Sequence, residues 1–275
     1  MSSDPRPTKN QRREEARVAA ERLKAEQAAS ARKSRTVAII ALIAGIAVLG
    51  GLVVWIFAEG NKPTTEGLSA PAGATVSGGI PVGQDGVAGT RGGSAEDATV
   101  IQVYFDFMCP YCGLFETTNA AELEELRATG DVVVEYHPVS ILDRLSMGTG
   151  FSSRSATAAA FVADRAPEAF VDFLAVMFAN QPAENTGGLS DAQMAAFAAD
   201  AGAGEAVTSA IADGTYFTDG DSLAAWVIAA TEQAGKDLPR LATPTIVIDG
   251  EVLDTQQYNW TEPGALTRAV ADARG

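Results

Sequence analysis

The chain has 275 residues, of which 47% are hydrophobic, so it is long enough to bury the core of one large domain or two small ones. Its 35 acidic residues outnumber its 20 basic residues and give a formal net charge of −15. A negative field of this kind repels nucleic-acid backbones and anionic lipid surfaces, and two cysteines are too few for a small scaffold held together by disulfides. Composition therefore argues against a nucleic-acid partner and against a disulfide-dense fold.

The chain begins with a charged arm and an apolar segment. Residues 1–35 hold ten Lys and Arg against five acidic residues and are predicted to form a solvated arm. Residues 36–58 carry no charge, and because about 20 apolar residues cross a bilayer as a helix, they are predicted to form a single transmembrane anchor. Arg32, Lys33 and Arg35 border this segment, so the positive-inside rule predicts a single-pass cell-membrane protein with a cytoplasmic arm and an extracytoplasmic remainder. The alternative is a cleaved signal peptide, whose apolar region is usually only about 7 to 15 residues long.

A glycine-rich stretch follows the apolar segment. Residues 59–93 hold ten glycines and three prolines with little periodic hydrophobicity, which is the composition of a flexible linker. The folded domain is therefore predicted to cover residues 94–275.

The first unit of this domain is a strand followed by a helix. "ATVIQVYFDF" alternates apolar side chains at Ile101, Val103 and Phe105, which predicts a strand that runs directly into the sequence CPYC. Pro110 suits the first turn of the next helix, and Gly130 marks its end.

The remaining elements alternate between strands and helices. "DVVVEYHP" predicts a second strand, and a mostly helical insertion at about 145–235 follows it. "TPTIVIDGEVLD" predicts two short strands joined at Asp249 and Gly250, and the chain closes with a helix. The predicted order is strand, helix, strand, helical block, two strands and helix, which is an α/β fold.

Cys109 and Cys112 are the only cysteines, and three roles for them are considered. A disulfide across two residues closes too small a loop to restrict the unfolded chain, and a zinc site needs about four ligands although His137 is the only histidine. A redox pair needs one thiol with a lowered pKa, and Cys109 lies where a helix N-terminus stabilises an anion. The pair is therefore predicted to be redox-active, with Cys109 as the nucleophile, Cys112 as the resolving thiol, and no metal or cofactor.

Three stretches, "FDFMCPYC", "EYHP" and "ATPTIVIDGE", resemble segments of the DsbA family of extracytoplasmic thiol-disulfide oxidoreductases. The resemblance covers residues 94–275 and implies a thioredoxin fold with an all-helical insertion. The anchor and linker resemble those of membrane-bound members from Gram-positive bacteria. The resemblance also implies that Pro244 is a cis-proline facing the cysteine pair and that the main chain of Thr243 binds substrate.

The sequence departs from the family at two places. Many relatives carry a buried acid where this chain has Val103, with an Asp at 106 instead, so Glu135 is a possible proton acceptor for the resolving thiol; a salt-bridged or solvated strand residue is the alternative. The dipeptide between the cysteines is Pro110 and Tyr111, whereas strongly oxidising members have His in place of the tyrosine. The pair is therefore expected to be less oxidising than a CPHC pair.

The resemblance implies an oxidoreductase that donates its Cys109–Cys112 disulfide to exported proteins with free thiols. A membrane partner of the DsbB or VKOR type would then reoxidise it. Two alternatives stay open at this point. One is a reductase or isomerase of the same fold, because CPYC does not fix the direction of electron flow. The other is a tethered chaperone or binding module whose disulfide is inert.

Overall fold

A computed structural model describes residues 9–60, 62–220 and 222–275. The chain divides into two compact units, one that ends at Lys62 and one that covers Pro63–Gly275. The first unit contains a single long helix, α1 (Lys9–Gly60), within its described residues.

The predicted transmembrane helix at residues 36–58 is wrong, and so is the single-pass membrane localisation that depends on it. No helix in the described part of the chain is long and apolar enough to cross a membrane. The apolar residues belong to α1, the same helix that carries the charged residues of the arm, such as Arg17 and Glu21.

The described residues of the second unit form one five-stranded sheet. Its strands are β1 (Ile80–Val82), β2 (Thr99–Phe105), β3 (Val132–Pro138), β4 (Thr245–Ile248) and β5 (Glu251–Val252). They lie in the order β1-β3-β2-β4-β5, with β2 parallel to β3 and the other neighbouring strands antiparallel. All seven residues of β3 are buried, because helices cover both faces of a central strand.

Helices connect the strands and form the covering layers. Helix α2 (Pro110–Ala128) joins β2 to β3, and α9 (Ala265–Ala273) closes the chain. The helical block between β3 and β4 consists of α3 (Phe151–Arg165), α4 (Phe170–Ala179), α5 (Asp191–Asp200), α6 (Glu205–Ala212), α7 (Thr215–Thr218) and α8 (Ala224–Asp237). The fold is thus the expected thioredoxin-like α/β arrangement with a helical insertion.

The two faces of the sheet pack against different helices. Val103 and Tyr136 are register partners on one face and share the main core with buried side chains of α2. Tyr104 and His137 are register partners on the opposite face, because side chains alternate along a strand. There Tyr104 packs with Ala234 of α8.

The segment predicted as a flexible linker, residues 59–93, differs from that prediction from residue 63 onwards. The hydroxyl of Thr64 donates to the carbonyl oxygen of Ala229 at 2.7 Å, and β1 pairs with β3 at the edge of the sheet. Its glycines permit close approach: a Cβ on Gly79 would lie 2.6 Å from Nε2 of His137. Glycine-rich composition therefore reflects tight packing here rather than flexibility.

Candidate active site

Cys109 occupies the junction between β2 and α2. It is the N-cap of α2 in extended conformation. Pro110 takes the first helical position, where an N–H group would have no partner within the helix, so the lack of one in proline costs nothing. Cys112 lies one turn later, and its N–H donates to the carbonyl oxygen of Cys109 at 2.9 Å. Both are free thiols with 6% and 1% of their surface exposed, whereas Tyr111 between them is 65% exposed. The attacked sulfur therefore lies just beneath a surface that a protein substrate can reach.

The two thiols have opposite electrostatic surroundings. A hydrogen bond from the Cys112 thiol lowers the pKa of Cys109 to about 6. The side chain of Thr243 and the N–H groups of Cys112 and Tyr111 lower it further, whereas burial raises it. Burial raises the pKa of Cys112 well above its usual value, and the neighbouring Cys109 adds to this shift. At neutral pH the reduced pair therefore consists of a Cys109 thiolate and a Cys112 thiol, which is the division between a nucleophile and a resolving group.

The loop before β4 completes the site. The peptide bond between Thr243 and Pro244 is cis, as predicted. Strand β4 pairs antiparallel with β2, so this loop lies beside the end of β2 from which Cys109 follows. The thiol of Cys109 donates to the carbonyl oxygen of Thr243 at 3.2 Å. The structure thus brings Thr243 and Pro244 to the cysteine pair, although 134 residues of sequence separate Cys109 from Thr243.

Glu135, the possible proton acceptor, lies elsewhere. Its carboxylate is 3.4 Å from Nε2 of His137 and accepts a hydrogen bond from Gln102 at 3.3 Å. These partners belong to the sheet face that carries Tyr104, opposite to the face that packs against α2. None of its described contacts joins Glu135 to either cysteine, so its predicted role in proton transfer stays a prediction without support from the geometry.

Glu116 is a carboxyl group that the sequence reasoning missed. It follows Cys112 by four residues in α2 and therefore lies on the same face of the helix. Burial raises its pKa to about 7, and its charge is the second cause, after burial, of the raised pKa of Tyr136. The spacing from Cys112 within a predicted helix was the signal that could have identified it.

Asp106 anchors the loop that leads to Cys109. It is fully buried, and burial raises its pKa to about 6. Its carboxylate accepts hydrogen bonds from the N–H groups of Met108, Ile141 and Leu142 and from the hydroxyl of Ser152, all between 2.7 and 3.0 Å. The sequence placed an Asp at this position but indicated no such role.

Gln181 is a second missed residue. Its side-chain amide donates to the carbonyl oxygens of Phe107 and Cys109 at 2.9 and 2.8 Å. No local sequence pattern indicates this contact, because Gln181 belongs to the helical block.

The described ranges of the chain contain no group of three His, Cys, Asp or Glu side chains that could hold a metal ion.

Comparisons with known proteins agree with this geometry. A sequence family described as thioredoxin matches residues 88–262. The MdbA thiol-disulfide oxidoreductase of Actinomyces oris aligns with a TM-score of 0.59 and 22% identity, over 76% of this chain and 95% of MdbA, which is a likeness of fold. Oxidised DsbA of Mycobacterium tuberculosis aligns with a TM-score of 0.50 and 28% identity, over 71% of this chain and 99% of DsbA.

One curated relative is much longer than the matched region. The serine/threonine-protein kinase PknE of Mycobacterium tuberculosis is 30% identical over 126 residues, which cover 44% of this chain and 22% of the kinase. The chain thus matches about a fifth of the length of that relative.

Proposed function

The chain belongs to the thioredoxin family and is a protein thiol-disulfide oxidoreductase, and we propose that it acts as an oxidase that donates the Cys109–Cys112 disulfide to exported proteins with free thiols. The observation that carries this direction is the lowered pKa of Cys109, about 6. The thiolate exists only in the reduced form. Groups that stabilise it therefore favour reduction of the enzyme disulfide, which makes that disulfide a better oxidant.

The first step is attack of a substrate thiolate on Sγ of Cys109. A new bond forms between the substrate sulfur and Cys109, and the enzyme disulfide breaks, with its electron pair passing to Sγ of Cys112. Because the pKa of Cys112 is raised well above its usual value, this sulfur takes up a proton, and as a thiol it no longer attacks the mixed disulfide to reverse the step. We assign the exchange of that proton to Glu116, which has a pKa of about 7 and follows Cys112 by four residues in α2.

The second step releases the substrate. A second substrate thiolate attacks the substrate sulfur of the mixed disulfide, and Cys109 leaves as a thiolate. A thiol with a low pKa is a good leaving group, so the same surroundings that favour oxidation also favour release. The main chain of Thr243, next to cis Pro244 and in contact with Cys109, is the group we assign to binding the extended substrate backbone.

The reduced enzyme then needs an acceptor for two electrons. We assign this role to a reoxidant of the DsbB or VKOR type, which would take the electrons through the same Cys109 sulfur. The place of this chain among the Gram-positive members of the family also stays a proposal.

The reduction potential tests the proposed direction. We expect a value above the thioredoxin potential of about −270 mV and below the DsbA potential of about −120 mV, measured by equilibration of the full-length protein with glutathione buffers. When the pH is below the pKa of Cys109, reduction of the pair takes up two protons. When the pH is above that pKa, reduction takes up one proton. The potential should therefore fall by about 59 mV per pH unit below pH 6 and by about 30 mV per pH unit above it.

Tyr111→His should raise the reduction potential above the wild-type value, because a cation beside Cys109 stabilises the thiolate. Tyr258→His is the matched control. The hydroxyl of Tyr258 donates a hydrogen bond to Asp272 on another part of the surface, so this substitution should leave the potential unchanged. A wild-type potential at or below about −270 mV would instead assign the protein to the reductases.

A further inference from the structure

We propose that Gln181 is a positioning residue through which the helical block sets the reduction potential of the Cys109–Cys112 pair. The inference rests on the proposed redox function of the pair and adds to it a residue outside the thioredoxin core. Gln181 follows α4, and its N–H donates to the carbonyl oxygen of Phe178 at 3.2 Å. It therefore belongs to the helical block in both sequence and hydrogen bonding.

The side chain of Gln181 reaches from this block to the loop that carries Cys109. The amide nitrogen Nε2 donates to the carbonyl oxygens of Phe107 and Cys109, so each of its two hydrogens has an acceptor. The ring of Phe107 also packs against Phe178 of α4, with centroids 4.9 Å apart. Two adjacent contacts, one polar and one apolar, thus attach the helical block to the residues just before α2.

The bond to Cys109 holds the main chain from which its sulfur extends. Cys109 is the N-cap of α2, with φ −80° and ψ 114°, and its Sγ lies 3.2 Å from the carbonyl oxygen of Thr243. The N–H groups of Tyr111 and Cys112 stabilise the thiolate only while the sulfur lies at the start of the helix. Holding the Cys109 carbonyl in place therefore holds the thiolate within reach of its stabilising donors.

A second observation shows that the amide of Gln181 has a defined place. It lies against the first turn of α2, where a Cβ added to Gly113 would be only 2.3 Å from Oε1 of Gln181. A methyl group at position 113 would therefore displace the amide. Because alanine favours a helix more than glycine does, Gly113→Ala disturbs the contact without weakening α2 itself.

The experiment compares the full-length protein with Gln181→Ala and Gly113→Ala. Both variants should lower the acid dissociation constant of Cys109 about tenfold, followed by thiolate absorbance at 240 nm during a pH titration. The same tenfold change in the redox equilibrium lowers the potential by about 30 mV. Agreement between a variant that removes the amide and one that only displaces it would show that the position of the amide is what matters.

Gln193→Ala is the matched control in the same helical block. Gln193 completes the capping box of α5 with Ser190, so its loss should lower the thermal stability but leave the potential and the Cys109 titration unchanged. If Gln181→Ala does not fold, Gly113→Ala alone decides the question. Unchanged potentials in the folded variants would overturn the role of Gln181 while leaving the proposed function intact. A low wild-type potential would contradict the oxidase function and leave the comparison between variants valid.

Discussion

Cys109→Ala is expected to abolish disulfide transfer, whereas Cys112→Ala is expected to accumulate a covalent complex with substrate. Cys109 is the more exposed sulfur and carries the lowered pKa, so no other thiol can replace it as the attacked or attacking atom. In Cys112→Ala the Cys109 thiolate still attacks a substrate disulfide, which forms one mixed disulfide and releases one substrate thiol. Without Cys112 the enzyme has no second thiol with which to resolve that mixed disulfide.

Non-reducing electrophoresis and mass spectrometry of the isolated complex measure this difference. The substrate should be attached at Cys109 in Cys112→Ala, and no complex should form with Cys109→Ala. Covalent complexes that form equally well in both variants would contradict the division of roles between the two sulfurs.

Asp106→Ala should reduce the free energy of unfolding by about 3 kcal/mol or more. The substitution removes the acceptor of four buried hydrogen bonds, and each buried donor left without a partner costs on the order of 1 to 3 kcal/mol. Asp106→Asn keeps an acceptor oxygen and should lose less. Urea denaturation of the reduced full-length protein measures the effect.

Asp143→Ala serves as the comparison for this prediction. Asp143 is half-buried, and its carboxylate accepts hydrogen bonds only from the N–H and hydroxyl of Ser153 among its described contacts, so the loss should be smaller. A loss from Asp106→Ala within about 0.5 kcal/mol of zero, the range of ordinary surface substitutions, would mean that the loop before Cys109 does not depend on this carboxylate.

Local sequence patterns were sufficient for several elements of the fold. The alternation along β2 and the proline after Cys109 predicted a strand that meets a helix, and the structure has this junction. Asp249 and Gly250 both have positive φ values, 47° and 89°, as a two-residue hairpin requires. These features depend on neighbouring residues, so a local pattern contains the necessary information.

The predictions of a flexible linker and of a membrane span failed because a glycine-rich or an apolar segment is compatible with more than one structure. Glycine is frequent in flexible linkers, but it is also the residue that permits close packing, as at Gly79 beside His137. The apolar run at 36–58 suggested a membrane span, whereas the described part of the chain contains no helix that meets the requirement.

The site was predictable where a motif or a family resemblance identified it, and not where it depends on contacts between distant segments. The CPYC motif and the cis-proline segment identified the cysteines, Thr243 and Pro244. Gln181 reaches Cys109 across 72 residues of sequence, so only the folded chain shows the contact. For Glu135 the strand was predicted but the face was not, since one residue along a strand reverses the side to which a side chain points.

The most direct test of the proposed oxidase is a single-turnover transfer assay without oxygen. The fully oxidised full-length protein is mixed with an excess of a reduced, unfolded protein that needs a disulfide for activity, and the disulfides of both partners are counted by mass spectrometry. The account predicts that one substrate disulfide appears for each Cys109–Cys112 disulfide lost, with recovery of substrate activity. The account would be contradicted if the enzyme disulfide persisted in the presence of excess substrate thiols while the reduced enzyme rapidly reduced substrate disulfides.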